Sequence, residues 1–69
     1  MNVEKIKHWL NLESGDWVDN KTLKRIIQDA YRVAGIKQTA KASDILFFYQ
    51  AKKHQKRENG VQINGYKIL

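Results

Sequence analysis

The sequence predicts a small α+β domain of three helices followed by a two-stranded β-hairpin. Two observations predict this order. An apolar stripe at helical spacing fills residues 20–34 and ends at Gly35. Further along, Asn59-Gly60 separates two segments of strand-like composition. This dipeptide favours a type I′ hairpin turn, because both central residues of that turn need a positive φ.

The first helix is predicted over residues 2–11. Its apolar side chains recur at helical spacing: Val3, Ile6, Trp9 and Leu10. The segment 13–16 breaks this helix, and Trp17-Val18 is predicted to form a short extended piece. We expect both tryptophans to pack in the core, or one of them to stay partly open because the core is small.

The second helix is predicted over residues 20–34. Asp19 or Asn20 supplies a side-chain acceptor for the exposed backbone N–H groups at its start. Its apolar stripe consists of Leu23, Ile26, Ile27, Ala30, Val33 and Ala34. Gly35 stands where a left-handed residue is needed to end the helix.

A third helix is predicted over residues 40–48, after a turn at 36–38 and with Thr39 as its N-cap. Its core-facing residues are expected to be Ala42, Ile45 and Leu46. More exposed positions are expected at Lys41, Ser43 and Asp44. A helix, a tight turn and a capped helix have the spacing of a helix-turn-helix.

The hairpin is predicted over residues 50–69, and its second strand has a phase problem. Val61 and Ile63 point to one face of the sheet, whereas Tyr66 and Ile68 point to the other, because side chains alternate along a strand. One extra residue would restore a single apolar face. We therefore predict a β-bulge at Asn64-Gly65, with the glycine in a left-handed conformation.

Charge and composition favour a polyanionic partner. The chain has 69 residues, no cysteine and a net charge of +6. Residues 1–20 hold two lysines against four acidic residues, a net of −2, whereas residues 21–69 carry a net of +8. The absence of cysteine excludes disulfides and cysteine-based zinc sites. No apolar run is long enough to span a bilayer, so we expect a cytoplasmic protein without a membrane partner.

Catalysis has little support in the sequence. His8 and His54 are the only histidines. Glu4 and His8 are four residues apart on a helix, but two ligands do not make a metal site. Gly-rich phosphate loops, nucleophile–base patterns and carboxylate clusters are missing. We expect no enzyme activity, no cofactor and no metal.

The predicted element order is that of a winged helix. In this arrangement the third helix can enter a major groove while the hairpin, or wing, follows the phosphate backbone. A single lysine is more often a solvated surface charge, but a cluster on one strand favours phosphate contact. The predicted nucleic-acid-binding residues are Lys37, Gln38, Thr39, Lys41, Ser43, Lys52, Lys53, Lys56 and Arg57.

Aromatic residues at the junction between the third helix and the hairpin suggest a second kind of contact. Three consecutive aromatics cannot all face one core. Two are expected to pack while the third covers the root of the wing, or is exposed as a base-stacking platform or a protein contact. The predicted protein-interaction residues are Trp17, Phe47, Phe48 and Tyr49.

Several landmarks resemble the small winged-helix modules of mobile-element replication proteins, over residues 17–69. The landmarks are Trp17-Val18, Ala30-Tyr31-Arg32, Gly35, Lys56-Arg57-Glu58-Asn59-Gly60 and Gly65-Tyr66-Lys67-Ile68-Leu69. Such modules form the C-terminal domain of phage and plasmid primase-helicases. They also occur as small stand-alone subunits of phages and resistance-cassette elements, in one case beside an A-family-like polymerase that acts as a primase.

The resemblance implies that Lys53, Lys56, Arg57 and the third helix contact DNA, single- or double-stranded. It also implies a polymerase, primase or helicase as a possible protein partner. Two alternatives stay open. The chain could be a protein-interaction subunit that stabilises a larger replication enzyme. It could also be a small transcriptional repressor, which usually requires a dimer because one short helix reads few base pairs.

Overall fold

The computed structural model describes residues 3–69 as an α+β fold with a three-stranded antiparallel sheet. Asn2, with which the first helix was expected to begin, lies outside the described residues. The elements in chain order are α1 (Val3–Leu10), β1 (Trp17–Asp19), α2 (Asn20–Val33), a 3₁₀ segment (Ala42–Phe47), β2 (Ala51–Glu58) and β3 (Val61–Ile68). The strand order is β1-β3-β2, so β3 is the central strand.

The helices pack on one face of this sheet. Tyr66 and Ile68 of β3 are buried on that face, next to α2. The buried apolar core consists of Ile6, Leu10, Leu23, Ile27, Ala30, Tyr31, Ala40, Ile45, Phe48, Tyr66 and Ile68. We call this side of the sheet the helix-side face and the opposite side the outer face.

Helix α1 contributes a narrow apolar stripe to the core. Ile6 and Leu10, one turn apart, are buried as predicted. Trp9 was expected in the core, but its side chain is 55% exposed. The reason is that α1 packs mainly against α2, so two side chains one turn apart fill the contact.

Helix α2 has the ends that the sequence predicts. At its start, the Asp19 carboxylate accepts a hydrogen bond from the backbone N–H of Thr22 at 3.1 Å. Hydrogen bonds from the Thr22 side chain and backbone lower the pKa of Asp19 below its usual value. At its end, Gly35 has φ +77°, its N–H donates to the Arg32 carbonyl, and the Ile36 N–H donates to the Tyr31 carbonyl. This pair of bonds is a Schellman motif.

The third helical segment is shorter and tighter than predicted. It is a 3₁₀ helix of six residues, Ala42–Phe47, and its N-cap is Lys41 instead of Thr39. Asp44 explains the difference, because its carboxylate accepts from the Lys41 backbone N–H at 3.2 Å and from the buried Tyr31 hydroxyl at 3.1 Å. Burial, and then the hydrogen bond to Asp44, raises the pKa of Tyr31 to about 12, so its hydroxyl remains a donor at neutral pH.

The 3₁₀ period also changes which side chains face the core. With three residues per turn, the inward positions are Ala42, Ile45 and Phe48. Leu46, expected inside on a 3.6-residue period, is 54% exposed. Asp44, expected to be exposed, is buried.

The hairpin turns at Asn59-Gly60, as predicted, with φ of 51° and 78° at the two residues. The predicted bulge is wrong. Pairing between β2 and β3 runs without interruption from Glu58 opposite Val61 to Ala51 opposite Ile68. The phase problem is resolved differently: the distal half of the hairpin carries no buried side chain, so Val61 can lie on the outer face, exposed.

Gly65 is required by the side chain that lies over it. A Cβ atom at Gly65 would lie 2.7 Å from two ring atoms of Trp17 and 2.5 Å from the carbonyl oxygen of Val18. The Trp17 Nε1–H donates to the backbone carbonyl of His54 at 2.9 Å. Because Trp17 is on β1 and His54 is on β2, one indole crosses the central strand and joins both edges of the sheet.

We predict that Gly65→Ala lowers the free energy of unfolding by about 1–3 kcal/mol, the usual cost of overpacking. The Cβ atom meets backbone as well as the indole, so a side-chain movement alone cannot relieve the clash. Urea denaturation measures the effect. Asn64→Ala, at the exposed neighbouring position, is the control and is expected to change stability by less than about 0.5 kcal/mol. Equal stability of the two variants would contradict this role for Gly65.

Candidate nucleic-acid interface

Strand alternation divides the basic residues of β2 between the two faces of the sheet. Residues directly opposite each other in an antiparallel pair share a face. Lys53 is opposite the buried Tyr66, so Lys53 and Arg57 lie on the helix-side face. Lys52 and Lys56 lie on the outer face. The four basic residues predicted to form one cluster are therefore divided into two pairs, one on each face of the sheet. All four side chains are exposed.

The outer face also carries a lysine that was not among the predicted nucleic-acid-binding residues. Lys67 of the central strand is directly opposite Lys52 on one side and Trp17 on the other. Counting outward from the Asn59-Gly60 turn would have placed Lys67 opposite Lys52 from the sequence alone. Like charges directly opposite each other in a sheet are destabilising, so this pair has a cost in the free protein.

Trp17 and Lys56 form a cation–π contact on the outer face. The Lys56 ammonium lies 4.4 Å from the centroid of the Trp17 ring. The indole itself is half-buried over Gly65. Lys56 is thus held next to a fixed ring, and the electrostatic environment of the Trp17 indole depends on the position of the Lys56 ammonium.

Carboxylates do not neutralise the hairpin. Within residues 3–69, none of the Lys or Arg side chains of β2 and β3 forms an ion pair. The nearby carboxylates bind backbone N–H groups instead: the Asp19 carboxylate caps α2, and the Asp16 carboxylate accepts from the Glu13 backbone N–H. Glu58 lies at the tip of the hairpin. The basic side chains are therefore available to an external anion.

The turn between α2 and the 3₁₀ segment is fixed by Gln28. Its side-chain amide donates to the Gln38 carbonyl at 3.0 Å, and its carbonyl oxygen accepts from the Ala40 backbone N–H at 2.9 Å. The turn borders a surface depression of about 490 Å³ between it and α2. The predicted binding residues in this region are all exposed: Lys37, Gln38, Thr39, Lys41 and Ser43.

The four predicted protein-interaction residues have different environments. Phe48 is in the core, so its assignment to a partner contact is not supported. Tyr49 is half-buried; its hydroxyl donates to the Lys7 carbonyl and accepts from the Leu12 N–H, which ties α1 to the start of the hairpin. Trp17 is half-buried and packs over Gly65 on the outer face of the sheet. Phe47 is 71% exposed.

Among residues 3–69, no three His, Asp or Glu side chains are grouped so that they could hold a metal ion. No helix in the same stretch is long and apolar enough to cross a membrane. Comparison of the chain with protein-family models, curated proteins and solved structures gives no match.

We predict that Gln28→Ala lowers the free energy of unfolding by about 1–3 kcal/mol, because it leaves the buried Ala40 N–H without an acceptor. Gln28→Glu keeps that acceptor but sets a carboxylate oxygen in place of the donor to the Gln38 carbonyl; because that contact is exposed and screened by water, the cost should be smaller. Urea denaturation of both variants measures the difference. If Gln28→Glu destabilises the protein as much as Gln28→Ala, the bond to Ala40 does not fix the turn.

Proposed function

We propose that the chain is a nucleic-acid-binding module of the winged-helix type, and an accessory subunit of a mobile-element DNA replication machinery. The observation that carries the first part is the set of exposed Lys and Arg side chains on both faces of the hairpin, without ion pairs among residues 3–69. The element order and the β1-β3-β2 sheet support the winged-helix assignment. The replication context rests on the resemblance of residues 17–69 to such modules.

Phosphate contact is the interaction that these residues supply. Lys and Arg side chains neutralise backbone phosphates and release condensed counterions, which gives a salt-sensitive affinity independent of sequence. The 3₁₀ segment of six residues extends only about 12 Å, so it offers few positions for reading bases. The module accordingly binds the backbone and brings a primase, polymerase or helicase to its template.

We predict that Lys53→Glu combined with Arg57→Glu weakens DNA binding at least about tenfold. The log–log salt slope on duplex DNA should flatten by about 0.9 for each phosphate that the protein no longer neutralises. Fluorescence anisotropy of labelled single- and double-stranded oligonucleotides at two salt concentrations measures both quantities. Lys21→Glu with Lys24→Glu, on the exposed surface of α2, makes the same change in net charge and is the matched control.

Wild-type protein that binds neither form of DNA at low salt would contradict the proposed function. Equal losses of affinity in the two double variants would contradict a local contact at Lys53 and Arg57, because net charge alone would then explain the result.

A protein-interaction subunit is the second candidate, and one surface favours it. Leu46, Phe47 and Leu69 are 54%, 71% and 59% exposed. All three line a depression of about 470 Å³, and Lys7 lies at the same depression. We call these three residues the junction patch. Exposed apolar side chains that share one concave surface are typical of protein contacts.

We predict that Phe47→Ser removes capture of a replication enzyme while it leaves stability within about 0.5 kcal/mol, because the side chain is mostly exposed. The measurement is affinity capture from cells that contain the native partner, with mass spectrometry to identify a primase, polymerase or helicase. Ser43→Ala, on the same 3₁₀ segment, is the control. Retention of the same enzyme by Phe47→Ser would argue against the junction patch.

A further inference from the structure

The outer face of the sheet combines three features that the helix-side face lacks. It has a directly opposed lysine pair, Lys52 and Lys67, on adjacent strands. It has a third lysine, Lys56, next to the Trp17 ring. Its Trp17 indole is also fixed in position, because the indole N–H is hydrogen-bonded across the central strand to the His54 carbonyl. The helix-side face of the same hairpin carries Lys53 and Arg57 without these features.

The opposed lysines destabilise the free protein unless an anion lies between them or over them. No carboxylate within residues 3–69 forms an ion pair with either lysine. An external anion would remove the repulsion and add charge-assisted hydrogen bonds. The pair therefore stabilises a bound state more than the free state, which is the arrangement expected of a binding site.

The spacing of the lysines favours a chain of phosphates over a single small anion. Lys52 and Lys56 are four residues apart on one strand, which is about 13 Å. One phosphate group cannot contact both ends of this row, whereas successive phosphates of a nucleic-acid strand can. His54 lies between them on the same face and is exposed.

We propose that the outer face of the sheet is a phosphate-backbone binding surface, in which Lys52, Lys67 and Lys56 contact successive phosphates of a bound nucleic acid. This inference rests on the proposed function and assigns it a particular face. A bound phosphate attracts the Lys56 ammonium away from the Trp17 ring, so the environment of Trp17 changes on binding.

The first experiment compares double variants that each remove two positive charges. The outer-face variant combines Lys52→Gln with Lys67→Gln. The helix-side variant combines Lys53→Gln with Arg57→Gln. The α2 variant combines Lys21→Gln with Lys24→Gln and is the control for net charge. Binding of single- and double-stranded oligonucleotides is measured by anisotropy over a range of salt. The outer-face variant should bind at least about tenfold more weakly, and its slope on duplex DNA should fall by about 1.8.

Each outcome separates the inference from the function on which it rests. If wild-type protein binds DNA and the outer-face variant binds equally well, the outer-face assignment is overturned and the proposed function stands. Equal losses of affinity in the outer-face and α2 variants overturn it as well. Failure of the wild-type protein to bind overturns both. Because removal of two opposed lysines relieves repulsion, the outer-face variant should have an equal or higher urea midpoint, so a weak binder will still be a folded one.

Trp17 supplies an independent measurement. The chain has two tryptophans, and Trp9 is largely exposed, so Trp9→Phe leaves Trp17 as the single reporter. Titration with oligonucleotide should change its emission at the dissociation constant given by anisotropy, and the change should persist when Lys53 and Arg57 are replaced by Gln. Binding without any change in emission would overturn the proposal. Polyglutamate that competes as well as DNA of equal charge would overturn the assignment to nucleic acid.

Discussion

The position of the Trp17 indole over Gly65 is the constraint on which the rest of the sheet depends. A glycine at the central strand lets the ring lie close enough for its N–H to reach the far edge strand. That bond joins β1, which leads directly into α2, to the hairpin that carries the basic side chains. A hairpin of two strands alone is marginal in water. This one extends beyond the core, and the crossing indole holds it to the helical part of the molecule.

The same contact organises the charges. Because pairing continues past Gly65 without a bulge, strand alternation is preserved along the whole hairpin. The basic residues are therefore sorted strictly between two faces, with Lys53 and Arg57 towards the helices and three lysines on the outer face. The two faces can contact different parts of one nucleic acid, and the junction patch lies apart from both, at the start of the hairpin.

Local signals in the sequence were sufficient for the ends of α2 and for the hairpin turn, because Asp19, Gly35 and Asn59-Gly60 act through bonds to near neighbours. Predictions failed where a distant contact decides. The 3₁₀ period follows from the hydrogen bond between Asp44 and Tyr31, which is on another helix. Gly65 is needed because the ring of Trp17, on another strand, lies against it. Of the candidate site, β2 was recognised as basic. The pairing of Lys67 with Lys52 could be counted from the Asn59-Gly60 turn, but only for a hairpin without the predicted bulge.

A nitrogen-15 correlation spectrum of the labelled protein, recorded as oligonucleotide is added, tests the central claim most directly, because it reports every backbone N–H and the Trp17 indole N–H together. We expect the largest shifts in β2 and β3 and at the Trp17 indole, and we expect them to diminish as salt is raised. Shifts confined to the junction patch, or a spectrum that does not change at low salt, would contradict it.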